Sequence, residues 1–180
     1  MLQMVLLVLS VIVALLRGGK LQPLPKFTMN GILLLAIAME ISTIWLKAIS
    51  PELVSVSYAM ILFFLWKNWH YIEFRIIAIG ASLNALVVWV NGGLMPVLSS
   101  LARRTALPMK EFHADYFWHT AMTPHTIFPL LGDIIFLPYP TPTVISCGDI
   151  FVFSGIVLLI QRLLGCPINL TSLMGAKEQG

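Results

Sequence analysis

Charge is what this chain has least of. Lys, Arg, Asp and Glu together make up 11% of its 180 residues, where a soluble domain carries roughly 25%. So thin a supply argues against a water-facing globular surface. With 58% hydrophobic residues and a mean hydropathy of +0.90, the composition predicts a polytopic membrane protein. Cysteine is equally scarce. Cys147 and Cys166 fall near opposite ends of one predicted helix, about 28 Å apart at a helical rise, which excludes a disulfide or redox pair between them. Catalytic signatures are missing too: there is no Gly-x-Ser-x-Gly, His-Glu-x-x-His, phosphate-cradling glycine loop or Cys-x-x-Cys, and no pair of matched half-repeats with broken helices. The pI is near 9.0, but the 11 Lys and Arg are scattered singly or in pairs and form no basic stripe, so nucleic acid is not a partner they suit.

What the chain does have is hydrophobic blocks separated by charged or Pro/Gly-containing turns, the pattern that bilayer thickness imposes on helices. They are organised around Asn84-Ala-Leu-Val-Val-Trp-Val-Asn91-Gly-Gly-Leu-Met-Pro-Val97. An apolar helix with an amide at its middle stops there at Asn91-Gly92-Gly93, where a positive φ is needed after the last turn. The expected fold is all-α: a single membrane-embedded helix bundle over residues 1–180, with five spans at about 1–16, 29–47, 53–66, 72–91 and 147–165. The first run has its charges, Arg17 and Lys20, after it rather than before, which is the wrong way round for a cleaved signal peptide. An amino terminus outside and a carboxyl terminus in the cytoplasm then places Arg17, Lys20, Lys26, Lys67, Arg75, Arg162 and Lys177 inside, against Lys47, Arg103, Arg104 and Lys110 outside. Trp66-Lys67-Asn68-Trp69-His70-Tyr71 reads as an interfacial belt. Several spans fall short of the roughly 20 residues a bilayer asks for, and Ala78/Ser82 and Ala81/Ala85 recur four apart, so packing against a protein partner or a second copy is expected.

Residues 92–146 form the only long stretch that is not hydrophobic, an outer loop in this layout. Its short apolar run, Ile127 to Leu137, is broken by Pro129 and Gly132-Asp133; as a helix it reaches only about 16 Å, so it is expected to lie at the interface or to dip in and return. Pro138, Pro140 and Pro142 suggest a stiff, extended connector.

Six residues stand out as a candidate polar cavity: Glu40, Asn84, Asn91, His119, Asp133 and Asp149. Glu40 and Asn84 lie at similar depths in two spans that run the same way, about 16 Å in, where a polar group is costly and faces a partner or a cavity. A protonated Glu bonded to an amide, fixing helix packing, is the plainer reading of the pair and the favoured one, since nothing else in these spans continues a relay. Ser146-Cys-Gly-Asp149 has the capping-box form, which accounts for Asp149 without any function. Asp133 and Asp149, both in Gly-Asp-Ile, could bind a cation or pair with Arg103 or Arg104. His113, Asp115, His119 and His125 match no metal-site spacing, since six-residue intervals do not share a helix face, and no metal is expected. Asn169-Leu-Thr171 fits a glycosylation acceptor but lies on the predicted cytoplasmic tail.

Leu16-Arg-Gly-Gly19, Asn84-x-Leu-Val87, Asn91-Gly-Gly-x-Met-Pro-Val97, His119, Leu131-Gly-Asp-Ile134 and Ser146-x-Gly-Asp-Ile150, in that order, resemble a family of small bacterial integral membrane proteins known only as a domain of unknown function. The resemblance runs from about residue 2 to 162 and implies a five-span protein of the bacterial cell membrane. It implies no activity, substrate or cofactor. Three functions remain open. The leading one is an accessory or structural subunit, not an enzyme, packed in a larger membrane assembly. A small-molecule or ion binding or transport protein with an outward-facing cavity comes second, and an interfacial enzyme acting on a lipid or quinone through Asp133, Asp149 and His119 third.

Overall fold

The computed structural model describes residues 2–23, 25–46, 51–105 and 119–168. Its long helices occupy the apolar blocks: α1 (Leu2–Leu16), α2 (Asn30–Leu46), α3 (Pro51–Lys67), α4 (Ile72–Val90) and α6 (Cys147–Leu163), with a one-turn α5 at Ser99–Ala102. The chain is mostly helical, within two residues of the expected bounds at each end of the five long helices. By length and composition one of them, α4 with 19 residues, is long and apolar enough to cross a membrane; the others have 15 or 17. The expected bundle of five full spans therefore does not follow from helix length.

The helices lie side by side in the order α2, α3, α4, α6, α1. Val54 packs with Val87 and Val88 at one end of the α3/α4 pair, and Phe64 and Leu65 pack with Phe74 and Ala78 at the other, so the two run antiparallel. The same holds for α4 and α6. Asn84 meets Ser146 and Asp149 at the start of α6, and Glu73 meets Arg162 near its end, 2.7 Å from Arg162 Nε to Glu73 Oε1. Glycine sets the spacing of this seam: a Cβ on Gly148 would overlap Asn84 Oδ1 and sit 2.7 Å from the Gly80 carbonyl oxygen. Ala81 and Ala85 are buried within the chain itself, so their small-residue face is not free for a partner, whereas Ser82 is exposed. α1 runs parallel to α6, joined by Ser10, whose carbonyl accepts from Gln161 Nε2 (2.7 Å), and by Arg17, which donates to Gln161 Oε1 (2.8 Å).

α4 ends as its sequence requires. Gly92 and Gly93 have φ of +76° and +87°, and the Gly93 amide donates to the Val88 carbonyl at 2.9 Å, closing the last turn. Beyond it the all-α expectation gives way. β1 (Met95–Val97) pairs in parallel with β2 (His119–Ala121), and β3 (Ile135–Leu137) pairs antiparallel with β4 (Thr143–Ile145). The Ile127–Leu137 run is not an interfacial helix: Phe128 takes a φ of +52°, a 3-10 turn covers Pro129–Leu131, and the rest is β3. Pro129 lacks the amide a helix would use, and the Ile-Phe-Leu that follows suits a pleated pair with Thr-Val-Ile. Pro138, Pro140 and Pro142 do not extend the chain; their segment turns it back so that β4 returns along β3.

Candidate binding cavity

Each wall of the site comes from a different element. Asn84, buried on α4, is held from both sides: its amide donates to Asp149 Oδ1 (2.9 Å) and its carbonyl oxygen accepts from Ser146 Oγ (2.8 Å). Ser146 caps α6 by accepting from the Asp149 amide (3.0 Å), and Asp149 Oδ2 accepts in return from the Ser146 amide (2.9 Å), completing the capping box. The cap therefore does two things at once: it starts α6 and fixes the Asp149 carboxylate beside Asn84.

The roof is built on β1. Its neighbour β2 brings His119 opposite Met95, and on its other edge Asp133 bridges Val97, donating its amide to the Pro96 carbonyl (2.9 Å). His119 Nε2 and Asp133 Oδ2 consequently meet at 3.3 Å. Asp133 is only 4% exposed. Burial pushes its carboxyl above the ordinary range; the neighbouring His119 pulls it back, and the charge on Asp149 adds to the push. From α2 comes Glu40, whose Oε1 accepts from Ser57 Oγ on α3 at 3.1 Å.

These groups surround one cavity of about 330 Å³, lined by Glu40, Asn84, His119, Asp133 and Asp149 together with Tyr58, Val54, Val88, Met95, Thr143 and Val144. Five of the six residues singled out in the sequence thus share a single space. The sixth, Asn91, lies elsewhere: its amide donates to the carbonyls of Val87 (2.7 Å) and Ile127 (2.9 Å), and its side-chain oxygen accepts from the Ile127 amide (2.9 Å). Asn91 staples the loop to the end of α4 and so holds up the roof rather than lining the space. Arg104 does not pair with either aspartate; its guanidinium stacks on Phe136 at 4.1 Å from the ring centre, and Arg103 is exposed. His125 is exposed on a turn, and His113 and Asp115 lie outside the described residues, as does Asn169-Leu-Thr171. Among the described residues no three His, Cys, Asp or Glu side chains group as a metal shell.

Tyr58 is the titratable lining residue that reasoning from the sequence missed. A phenol in the middle of a mostly apolar helix was the available signal, since a buried hydroxyl ordinarily needs a partner or a wet space.

Fold and site together define a mostly helical protein with an acidic cavity between its helices and a small β-built cap. Residues 24–161 match the family of unknown function DUF5317, and the chain belongs to that family. It is also 36% identical over 143 residues to an uncharacterised protein of Thermotoga maritima, the match covering 78% of this chain and 79% of that one. No solved structure matches.

Proposed function

We propose that this is an integral protein of the bacterial cell membrane that binds a small polar molecule in an outward-facing cavity. The convergence of Glu40, Asn84, His119, Asp133 and Asp149 on one space carries this reading. Residues that merely fix helix packing would satisfy one another and leave no volume between them; here about 330 Å³ is left, within the range of small-molecule sites.

Several features support the membrane setting. The helices turn large apolar side chains outward, Leu34 at 67% exposure and Val8 at 55% among them. Arg17, Lys67, Arg75 and Arg162 all cluster at the helix ends remote from the cavity, which is the distribution expected of cytoplasmic charge and supports reading the cavity as outward-facing. Helices of 17 residues rise about 26 Å against a hydrocarbon core of roughly 30 Å, a shortfall that local thinning accommodates at modest cost.

The accessory-subunit reading rested partly on small-residue faces awaiting a partner, and much of that surface is used within the chain. The interfacial-enzyme reading gains the His119–Asp133 pair, but among the described residues no hydroxyl or thiol is hydrogen-bonded to His119. Purification of the full chain from its native membrane in lipid nanodiscs, followed by mass spectrometry of what is retained, tests the proposal. A Thr143→Trp variant, which fills the cavity, serves as the comparison. One compound enriched with the wild type and lost with the variant is expected. An equal small-molecule content in both, with the wild type found only within a larger complex, contradicts it.

A further inference from the structure

The charge in the cavity is one-sided. Among the described residues, Glu40, Asp133 and Asp149 line it and no Lys or Arg does. The two aspartates have no arginine or lysine within ion-pair distance among the described residues, His119 being the nearest candidate cation. Asp149 is held in place through both oxygens by Asn84 and the Ser146 amide, so it cannot swing away to find a partner. Asp133 uses Oδ2 toward His119, while Oδ1 makes no hydrogen bond to the described residues, and Asp133 lines the cavity. The Tyr58 hydroxyl, also on the cavity wall, has none either. A carboxylate on a cavity wall with one oxygen unengaged is a ready acceptor for a charged N–H donor.

Which cation is decided by the same geometry. Among the described residues the carboxylates border one space without grouping as a metal shell, and 330 Å³ is about ten times the share of a single water. A bare metal ion would leave most of that volume unfilled. An aliphatic ammonium compound fits better. Its N–H groups can reach Asp133 Oδ1 and the Tyr58 hydroxyl, its charge is also attracted to the Tyr58 ring face, and its methylenes suit Val54, Val88 and Met95.

We propose that the cavity is an ammonium-binding site, receiving a small primary amine or diamine with Asp133 and Tyr58 as its principal contacts. The proposal rests on the binding-cavity reading above and names its ligand class. The ammonium could be that of a free amine or of an ethanolamine lipid headgroup, and both offer the same donors.

The test is calorimetric titration of the full chain, in nanodiscs of phosphatidylglycerol alone, with butane-1,4-diamine, butane-1,4-diol, succinate and magnesium chloride. The diamine is expected to bind at least tenfold more tightly than the isosteric diol, and Asp133→Asn and Tyr58→Phe are each expected to weaken it by fivefold or more. Tyr58→Phe keeps the ring and the packing, so its loss reports the hydroxyl contact even if Asp133→Asn destabilises the cap. Adding phosphatidylethanolamine distinguishes the sources: competition with the diamine identifies the headgroup, and its absence identifies a free amine, the ammonium assignment holding in either case. Diol or succinate binding as tightly as the diamine, with Asp133→Asn still weakening it, overturns the ammonium inference and leaves the cavity reading in place. Magnesium binding alone overturns it in favour of a metal. No heat with any probe, in wild type and variants alike, overturns both.

Discussion

Replacing Gly148 by Ala probes the seam on which the cavity depends. The added methyl would overlap Asn84 Oδ1 and stand 2.7 Å from the Gly80 carbonyl oxygen, both well inside van der Waals contact. Two responses are open to the protein. Asn84 can turn aside, giving up its bond to Ser146, worth about 1 kcal/mol, and its bond to the Asp149 carboxylate, worth about 1.5–3 kcal/mol. Alternatively α6 can back away from α4, at the roughly 1–3 kcal/mol typical of overpacking. Across the two responses the loss is about 1–4 kcal/mol, a sizeable share of a total stability of about 5–15 kcal/mol. Gly31→Ala is the control: nothing lies within 4 Å of a Cβ there, and the change should be neutral or slightly stabilising. Equilibrium unfolding of the purified chain in detergent micelles, followed by tryptophan fluorescence, measures both. If Gly148→Ala unfolds within about 0.5 kcal/mol of the wild type, as surface substitutions do, the close approach of α6 to Asn84 is wrong.

Arg162→Met should destabilise by about 3 kcal/mol, because Glu73, its side chain 4% exposed, would be left as a buried carboxylate without a partner; Glu73→Met/Arg162→Met should recover most of that loss in the same assay. Ser146→Ala should cost about 1–2 kcal/mol, since it removes a helix cap and also strips Asn84 Oδ1 of its donor. The raised carboxyl of Asp133 predicts a pH dependence of definite sign. The folded chain holds that proton to higher pH than the unfolded chain, so this contribution is complete below the ordinary aspartate range of about 4 and fades as pH rises through the folded value. The difference in stability between wild type and Asp133→Asn, measured from pH 4 upward, should therefore shift against the wild type with rising pH and then level off; a shift in its favour would mean that His119 outweighs burial.

The helices were legible because each is an apolar run with a physical stop: Asn91-Gly92-Gly93 after α4, and Ser146 with Asp149 before α6. The depth argument for Glu40 and Asn84 needed only helical rise and antiparallel hairpins, and both residues do line one space. Residues 92–146 were harder to read. Their strands are three residues long, too short for alternation to show, and two depend on pairing across sequence gaps, Met95 with His119 and Val97 with Asp133. The proline run looked extended because each proline fixes only its own φ; the reversal comes from the pairing of the flanking strands. Asn91 was placed in the cavity by residue type and depth, but its side chain turns to the Ile127 backbone instead, a choice set by where the returning loop passes. Tyr58 does not stand out in the sequence because a phenol in a helix also suits ordinary packing, and it does pack against the cluster of Val54, Val87, Val88 and Met95.

The proposed membrane setting requires the acidic cavity to be reachable from outside the cell and the opposite helix ends to be reachable only from within. Single cysteines at Val144, on the cavity wall, and at Lys67, at the opposite helix ends, examine it directly in a Cys147→Ser, Cys166→Ala background. With a membrane-impermeant maleimide added to intact cells, Val144→Cys should be labelled and Lys67→Cys should react only after the membrane is opened. Labelling of Lys67→Cys but not Val144→Cys from outside, or a Val144→Cys that stays unreactive on both sides, would contradict it.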